Sequence, residues 1–290
     1  MELVLGFLIA FVIAITGVGA GTITAPLLIL FLHVPVVISV GTALAYSVVV
    51  KAVVVPLQMW RRQVVYRILG IMLLGGLPGV VLGSLLFRHF AAAGNNAVLY
   101  AALGLIIITT STWHLYRYFR PFKASMEKPT RPRTIAALMF PIGAEVGFSS
   151  SGAGALGTIV LLGLSSLTAA QVVGTDLAFG LCVALAGSGL HFANGNLDTA
   201  LLTHLVIGGV AGGLAGSLLA PRVPNRQLRL ALSICLLALG IRFCYQAVVK
   251  QTASRPIIVQ TKALALAHSP HQTITPPKIH DASPGVSHRL

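Results

Sequence analysis

The sequence predicts an all-α polytopic membrane protein with about eight transmembrane helices, arranged as two similar halves of four. Three observations carry this prediction. Hydrophobic residues make up 56% of the 290 positions and charged residues 9%, with a mean hydropathy of +0.89. A soluble chain of this size needs far more charge to cover its core. The few charges fall in short stretches between long apolar runs, and a helix needs about 20 apolar residues to cross the hydrocarbon core. Finally, the chain repeats itself at a fixed offset.

Taken in order, the apolar runs are Leu3 to Leu32, Val36 to Met59, Ile68 to Phe87, Ala97 to Trp113, Thr134 to Leu162, Ala169 to Phe192, Thr199 to Leu219 and Leu228 to Val249. The first opens with Glu2 instead of a basic segment and is too long for a signal peptide, so it reads as a retained span. The first and fifth runs exceed one straight span. Each carries a glycine-rich interruption, Thr16-Gly-Val-Gly-Ala-Gly21 and Ser149-Ser-Ser-Gly-Ala-Gly154, and is predicted to be a broken helix.

An ungapped shift of 133 residues aligns Gly19-Ala-Gly21 with Gly152-Ala-Gly154, Val40-Gly-Thr42 with Val173-Gly-Thr175, and Leu44-Ala45 with Leu177-Ala178. The same shift pairs Gly75-Gly76 with Gly208-Gly209 and Gly83-Ser-Leu-Leu86 with Gly216-Ser-Leu-Leu219. The expected organisation is a first membrane repeat over 1–116, a basic cytoplasmic loop over 117–133, a second repeat over 134–249 and a disordered cytoplasmic tail over 250–290. Four spans per half would bring both halves in from the same side, as parallel repeats about an axis along the membrane normal.

Charge sets the expected orientation. An inside N-terminus puts Arg61, Arg62, Arg67, the six basic residues from Arg117 to Arg133 and the tail from Lys250 in the cytoplasm, and it leaves Arg88, Arg222, Arg226 and Arg229 outside. This favours a multi-pass protein of the cell (inner) membrane with both termini cytoplasmic, and the cluster from Arg222 to Arg229 is the misfit. The formal charge of +14 is dispersed at span ends and in loops, which suits contacts to anionic lipid headgroups. No nucleic-acid-binding signature accompanies it, so no nucleic acid partner is expected. Cys182, Cys235 and Cys244 lie within spans and show no metal-ligand spacing. The tail histidines, His268, His271, His280 and His288, have no such spacing either. No cofactor is expected, and the sequence is compatible with a homo-oligomer.

Backbone that leaves helical geometry inside a bilayer must be satisfied by protein or by a water-filled cavity. The N–H groups that open a half-helix carry partial positive charge and suit an anion. The two breaks therefore give candidate substrate-binding residues: Gly17, Gly19, Gly21 and Thr22 in the first half, and Ser150, Ser151, Gly152 and Gly154 in the second. Thr42 and Thr175, at matching positions, join them. The glycines at 75, 76, 79 and 83 and their partners at 208, 209, 212 and 216 read instead as close-packing faces. Lys51, Glu145 and Asp176 are ionisable groups at span depth, with His191 nearer an end and expected at the interface. Lys51 could attract an anion or snorkel toward Arg61. Asp176 and Glu145 are the candidates for ion coupling, by a proton or another ion. Asp176 aligns with Ala43, so the repeat is asymmetric there.

These motifs, taken in order, resemble the TauE/SafE sulfite-exporter family. The segments are Thr16 to Gly21 with Pro26, Val40-Gly-Thr42, the glycine run ending at Ser84, Ser150-Ser-Gly-Ala-Gly-Ala-Leu-Gly157, Val173-Gly-Thr-Asp-Leu177, Gly195-Asn-Leu-Asp198 and Gly208 to Leu219. The resemblance implies a secondary transporter, expected to be an exporter, of a small anion such as sulfite, a sulfonate or a related organic anion. The chain departs from the family pattern at Gly41-Thr-Ala-Leu44 and at Ala20. No P-loop is present, so an ion gradient would drive alternating access. Two rivals are a passive channel or scaffold, and an intramembrane serine hydrolase in which His191 or His204 would have to reach Ser151.

Overall fold

The computed structural model describes residues 1–16, 20–93, 96–119, 130–151, 156–219, 230 and 233–249. The chain divides into a unit spanning Met1–Lys250 and a unit spanning Gln251–Leu290, the latter outside the described residues together with the expected tail. Every regular element among the described residues is an α-helix: α1 (Glu2–Thr16), α2 (Ala20–Phe31), α3 (Val36–Trp60), α4 (Tyr66–Ala92), α5 (Asn96–Phe119), α6 (Pro132–Ser149), α7 (Leu156–Leu164), α8 (Ala169–Ala193), α9 (Thr199–Leu219) and α10 (Ser233–Val249). Helices α3, α4, α8 and α9 are long and apolar enough to cross a membrane, the last over Thr199–Gly216; α5 and α10 contribute the shorter apolar helices Ala97–Trp113 and Ser233–Val249. Local sequence explains several ends. Thr168 and Gln171 form a reciprocal capping box at the start of α8, Pro132 opens α6, and Ser150 closes α6 in the left-handed conformation at φ 59°.

The glycine faces set the packing. Gly75, Gly79 and Gly83 of α4 lie against the backbone of Ala136, Phe140 and Ala144 in α6. Gly208, Gly212 and Gly216 of α9 lie against Leu3, Phe7 and Phe11 in α1. Residue numbers rise together in each pair, so α4 runs parallel to α6 and α9 runs parallel to α1. Adding 133 to Gly75, Gly79 and Gly83, and subtracting it from their α6 partners, produces the second set. The same exchange relates Gly76 against Phe179 to Gly209 against Tyr46, and Gly41 against Asn196 to Gly174 against Gln63. Close backbone approach at small residues is how helices associate where lipid offers no hydrophobic drive.

One expectation is overturned here. The broken first and fifth runs do not cross the bilayer; each folds back as a hairpin. The Arg131 N–H, just before α6, donates to the Leu164 carbonyl at the end of α7 (3.1 Å), and Thr130 and Ser166 hydroxyls meet at 3.2 Å, so both ends lie on one face. In the first half, Leu5 and Ile9 of α1 share a cluster with Leu28 of α2, with Leu32 and Val34 packed against it. Asp198 leads into α9, whose start lies beside α1, and its N–H reaches Thr42, less than two turns into α3. Helices α1 and α3 therefore begin on the same face.

With the hairpins removed from the crossing count, α3 runs antiparallel to α8: Gly41 near the start of α3 meets the end of α8, and Gly174 near the start of α8 meets the end of α3. A two-fold relation that exchanges two antiparallel helices has its axis in the membrane plane. The repeats are inverted, not parallel, and each consists of a hairpin followed by three helices.

Candidate functional site

The two hairpins enter from opposite faces and their tips meet. Ser150 Oγ donates to the carbonyl of Gly21 at 3.1 Å, a contact buried between the halves. Gly21 has no room for a side chain, because a Cβ there would strike the Ser150 carbonyl. Thr22, Thr24 and Ser149 to Ser151 are all buried around this junction. Ser149 Oγ donates back to the Glu145 carbonyl at 2.9 Å and accepts from the Ser151 N–H at 3.2 Å. Ser151 Oγ is buried with no hydrogen-bond partner among the described residues, an uncommon state for a hydroxyl at this depth. Gly17, Gly19, Gly152 and Gly154 lie outside the described residues.

Thr42 and Thr175 occupy equivalent positions in the antiparallel pair α3 and α8. Thr175 Oγ1 accepts the N–H of Val65 at 3.0 Å, and Thr42 Oγ1 accepts the N–H of Asp198 at 3.3 Å. Each threonine thereby fastens the connection that leads into a glycine-faced helix of the opposite half. Both side chains are fully buried.

The asymmetry lies at Asp176. Its carboxyl group is 1% exposed, and Oδ2 accepts from Thr158 Oγ1 at 2.6 Å. The Thr158 backbone N–H, in the first turn of α7, also reaches this carboxyl group. Oδ1 has no partner among the described residues and presses against Gly157, where any Cβ would collide with it. Lys51 crosses from α3 and donates to the Gly180 carbonyl at 3.2 Å. Gly180 is one turn beyond Asp176, so the ammonium lies on that side of α8, close enough for the two charges to attract. The snorkelling alternative is thus not what the structure holds: Lys51 is 5% exposed and points into the protein.

Glu145 stands apart. It faces α5, accepts from Thr110 Oγ1 at 2.9 Å, and lines a mainly apolar cavity of about 320 Å³ with Leu105, Ile106, Thr109, Trp113 and Leu156. The structure therefore gives the two candidate coupling carboxylates different surroundings. His191, expected at the interface, is buried; its Nε2 is 3.1 Å from the Gly147 carbonyl and its ring stacks edge-on to Phe87. His204 pairs with Glu2 at 2.5 Å. Neither histidine holds Ser151 Oγ, so the hydrolase dyad is not assembled.

Sequence reasoning missed Thr158 and Gly157, which complete the Asp176 environment. Their signal was available, because the 133-residue offset sets Asp176 opposite Ala43 and Thr158 opposite Ala25, and the two departures from symmetry occur together. It also missed Tyr46, whose hydroxyl donates to the Gly6 carbonyl at 3.2 Å and ties α3 to α1.

A helical membrane protein with paired hairpins whose tips meet between inverted halves has the architecture of a transporter. The chain belongs to the family described as sulfite exporter TauE/SafE, whose sequence profile matches residues 3–243. It is also similar to the probable membrane transporter protein YjnA of Bacillus subtilis (strain 168), with 27% identity over 249 residues, covering 83% of this chain and 97% of that protein. No solved structure matches the chain significantly. The protein is a membrane transporter.

Proposed function

We propose that the protein is a secondary transporter, acting as an exporter, of a small anion such as sulfite, a sulfonate or a related organic anion, driven by an ion gradient. The observation that carries this reading is the junction of the hairpin tips. There two polar atoms, Ser151 Oγ and Asp176 Oδ1, are buried without partners among the described residues, beside half-helix starts. Buried polar atoms left open in this way suit a ligand or ion that comes and goes. In this reading Gly21, Thr22, Ser150 and Ser151, with Gly17, Gly19, Gly152 and Gly154, receive the anion, and Thr42 and Thr175 hold the flanking connections. Lys51 supplies positive charge, and Asp176 takes up and releases the coupling proton or ion. Glu145, facing a separate cavity, is the second candidate for coupling.

The inverted topology also supports an orientation in the cell membrane. The face where α3 ends and α4, α6 and α8 begin carries Arg61, Arg62, Arg67 and the basic residues from Arg117 to Arg133. In sequence, Arg222, Arg226 and Arg229 fall in the connection between α9 and α10, which this topology assigns to the same face; the helix connections of the opposite face hold Arg88 alone, and the basic tail from Lys250 is the misfit. The positive-inside rule makes the arginine-rich face cytoplasmic. The N-terminus and the end of α10 are then external, the reverse of the orientation expected from eight crossings.

Proteoliposomes loaded with labelled sulfite, thiosulfate, taurine or small carboxylates, under an imposed pH gradient, test the reading. Saturable, gradient-driven flux of one anion that falls in Asp176→Asn or Lys51→Ala supports it. Absence of gradient-dependent flux for every anion would remove the grounds for a sulfur-anion exporter and leave the fold alone.

A further inference from the structure

We infer that the cavity beside Arg88 is a second anion-binding station, a vestibule that holds a small oxyanion on its way to or from the hairpin tips. As a waypoint it rests on the transporter reading above; as a binding site it does not. The cavity, of about 410 Å³, is lined by Val37, Arg88, Ala91, Ala92, Asn194 and Asn196. It lies on the face where α1, α3 and α9 begin.

Three features give it anion chemistry. Arg88 makes no hydrogen bond or ion pair among the described residues, so its planar fork of donors is free to take an oxyanion through two hydrogen bonds. Asn194 uses one N–H on the Leu190 carbonyl, at 2.7 Å, and retains the other. The Asn196 side-chain amide has no partner among the described residues, its backbone N–H donating to the His191 carbonyl at 2.9 Å. Across 32–35, 88–95 and 194–198, Arg88 is the only Lys or Arg and Asp198 the only acid, and Asp198 Oδ1 is engaged by the Leu201 N–H at 2.9 Å.

The lining also continues into the segment that Thr42 holds. The Asn196 carbonyl lies against Gly41, and two residues on, the Asp198 N–H is held by Thr42 Oγ1. An anion at Arg88 therefore bears on the segment that Thr42 fastens. The 133-residue offset aligns Arg61 with Asn194 and Pro221 with Arg88, so the second half has no arginine at the position equivalent to Arg88.

The test places a reporter thiol in the cavity by Ala92→Cys, in a protein whose Cys182, Cys235 and Cys244 are replaced by alanine. Position 92 lies one turn from Arg88 on the same helix face, about 6 Å away. Modification rates are measured with an anionic and a cationic methanethiosulfonate reagent, with and without sulfate, which unlike sulfite does not cleave disulfides. The ratio of the two rates cancels any effect of Arg88 on the thiol itself.

At low salt, Arg88→Gln is expected to lower the anionic-to-cationic ratio about tenfold, or about threefold for each sign of reagent, as one unit charge about 6 Å away across water implies. Added NaCl should erase the difference. Sulfate should slow modification saturably in the Arg88 protein and fail to do so in Arg88→Gln. Arg88→Lys keeps the charge and should keep the ratio. A collapsed ratio in Arg88→Lys, an unchanged ratio in Arg88→Gln, or no protection by sulfate would each overturn the site. These readouts need no transport. Arg88-dependent sulfate protection in a protein that moves no anion would overturn the transporter reading and leave this site standing.

Discussion

The contact between Thr158 and Asp176 can be tested energetically because the protein carries its own control. Asp176 Oδ2 accepts from Thr158 Oγ1 at 2.6 Å while Oδ1 has no partner among the described residues, at a site 1% exposed. In the first half the corresponding residues, Ala43 and Ala25, are buried at 0% and 2% exposure, and α2 packs on α3 with alanine at both positions of this pair. Thr158→Ala leaves a buried carboxyl group short of a donor, which costs about 1.5–3 kcal/mol when the acceptor is charged. Asp176→Ala removes the carboxyl and its unpaired oxygen together. Once it is gone, losing the threonine hydroxyl should cost less than about 1 kcal/mol.

Thr158→Ala is therefore expected to cost less in the Asp176→Ala background than in the parent protein, with a coupling of about 1–2 kcal/mol in a double-mutant cycle. Equilibrium unfolding in mixed micelles measures the four proteins, and flux in proteoliposomes is measured on the same samples. The double variant should fold and lose gradient-driven flux. Additivity within about 0.5 kcal/mol would refute the energetic link between the two side chains. Full flux in the folded double variant would exclude Asp176 from coupling.

Two further outcomes follow from the packing. Gly79→Ala and its repeat partner Gly212→Ala drive a methyl group into the backbone of Phe140 and Phe7, so each should cost about 1–3 kcal/mol in the same unfolding assay. Gly70→Ala, with open space around it, should be neutral or stabilising by up to about 1 kcal/mol; equal effects at all three positions would refute the interface. Single cysteines replacing His33 and Ser166 should be labelled by an impermeant thiol reagent from opposite faces. Eight full crossings would put both on the same face.

Much of the fold was legible because it depends on composition and spacing. The eight apolar runs each contain helix, the breaks in the first and fifth runs fall where α1 gives way to α2 and α6 to α7, and the glycine faces at 75 to 83 and 208 to 216 pack backbone against backbone. The candidate site was legible as residue types and less so as partners. Lys51 reads equally as a snorkelling or an inward cation until its Gly180 contact is known. Nothing local marks Thr158 as the donor to a carboxyl group 18 positions away.

The direction of the hairpins was not legible locally for a physical reason. An apolar run of about 30 residues with a glycine break satisfies its backbone equally as a long tilted crossing or as two half-helices returning to one face. Both options bury the same side chains in the same solvent, so hydropathy cannot separate them. The decision is made by tertiary contact: α1 must lie parallel to α9 for Gly208, Gly212 and Gly216 to meet Leu3, Phe7 and Phe11, while the loop before α9 must also reach Thr42. Only the hairpin allows both. Each hairpin changes the parity of every later segment, and parity does leave a trace in sequence through charge. Under eight crossings Arg222, Arg226 and Arg229 fall on the face opposite the other arginine clusters; with two hairpins they fall on the same face. That single misfit was the sequence-level sign that one of the apolar runs before it failed to cross.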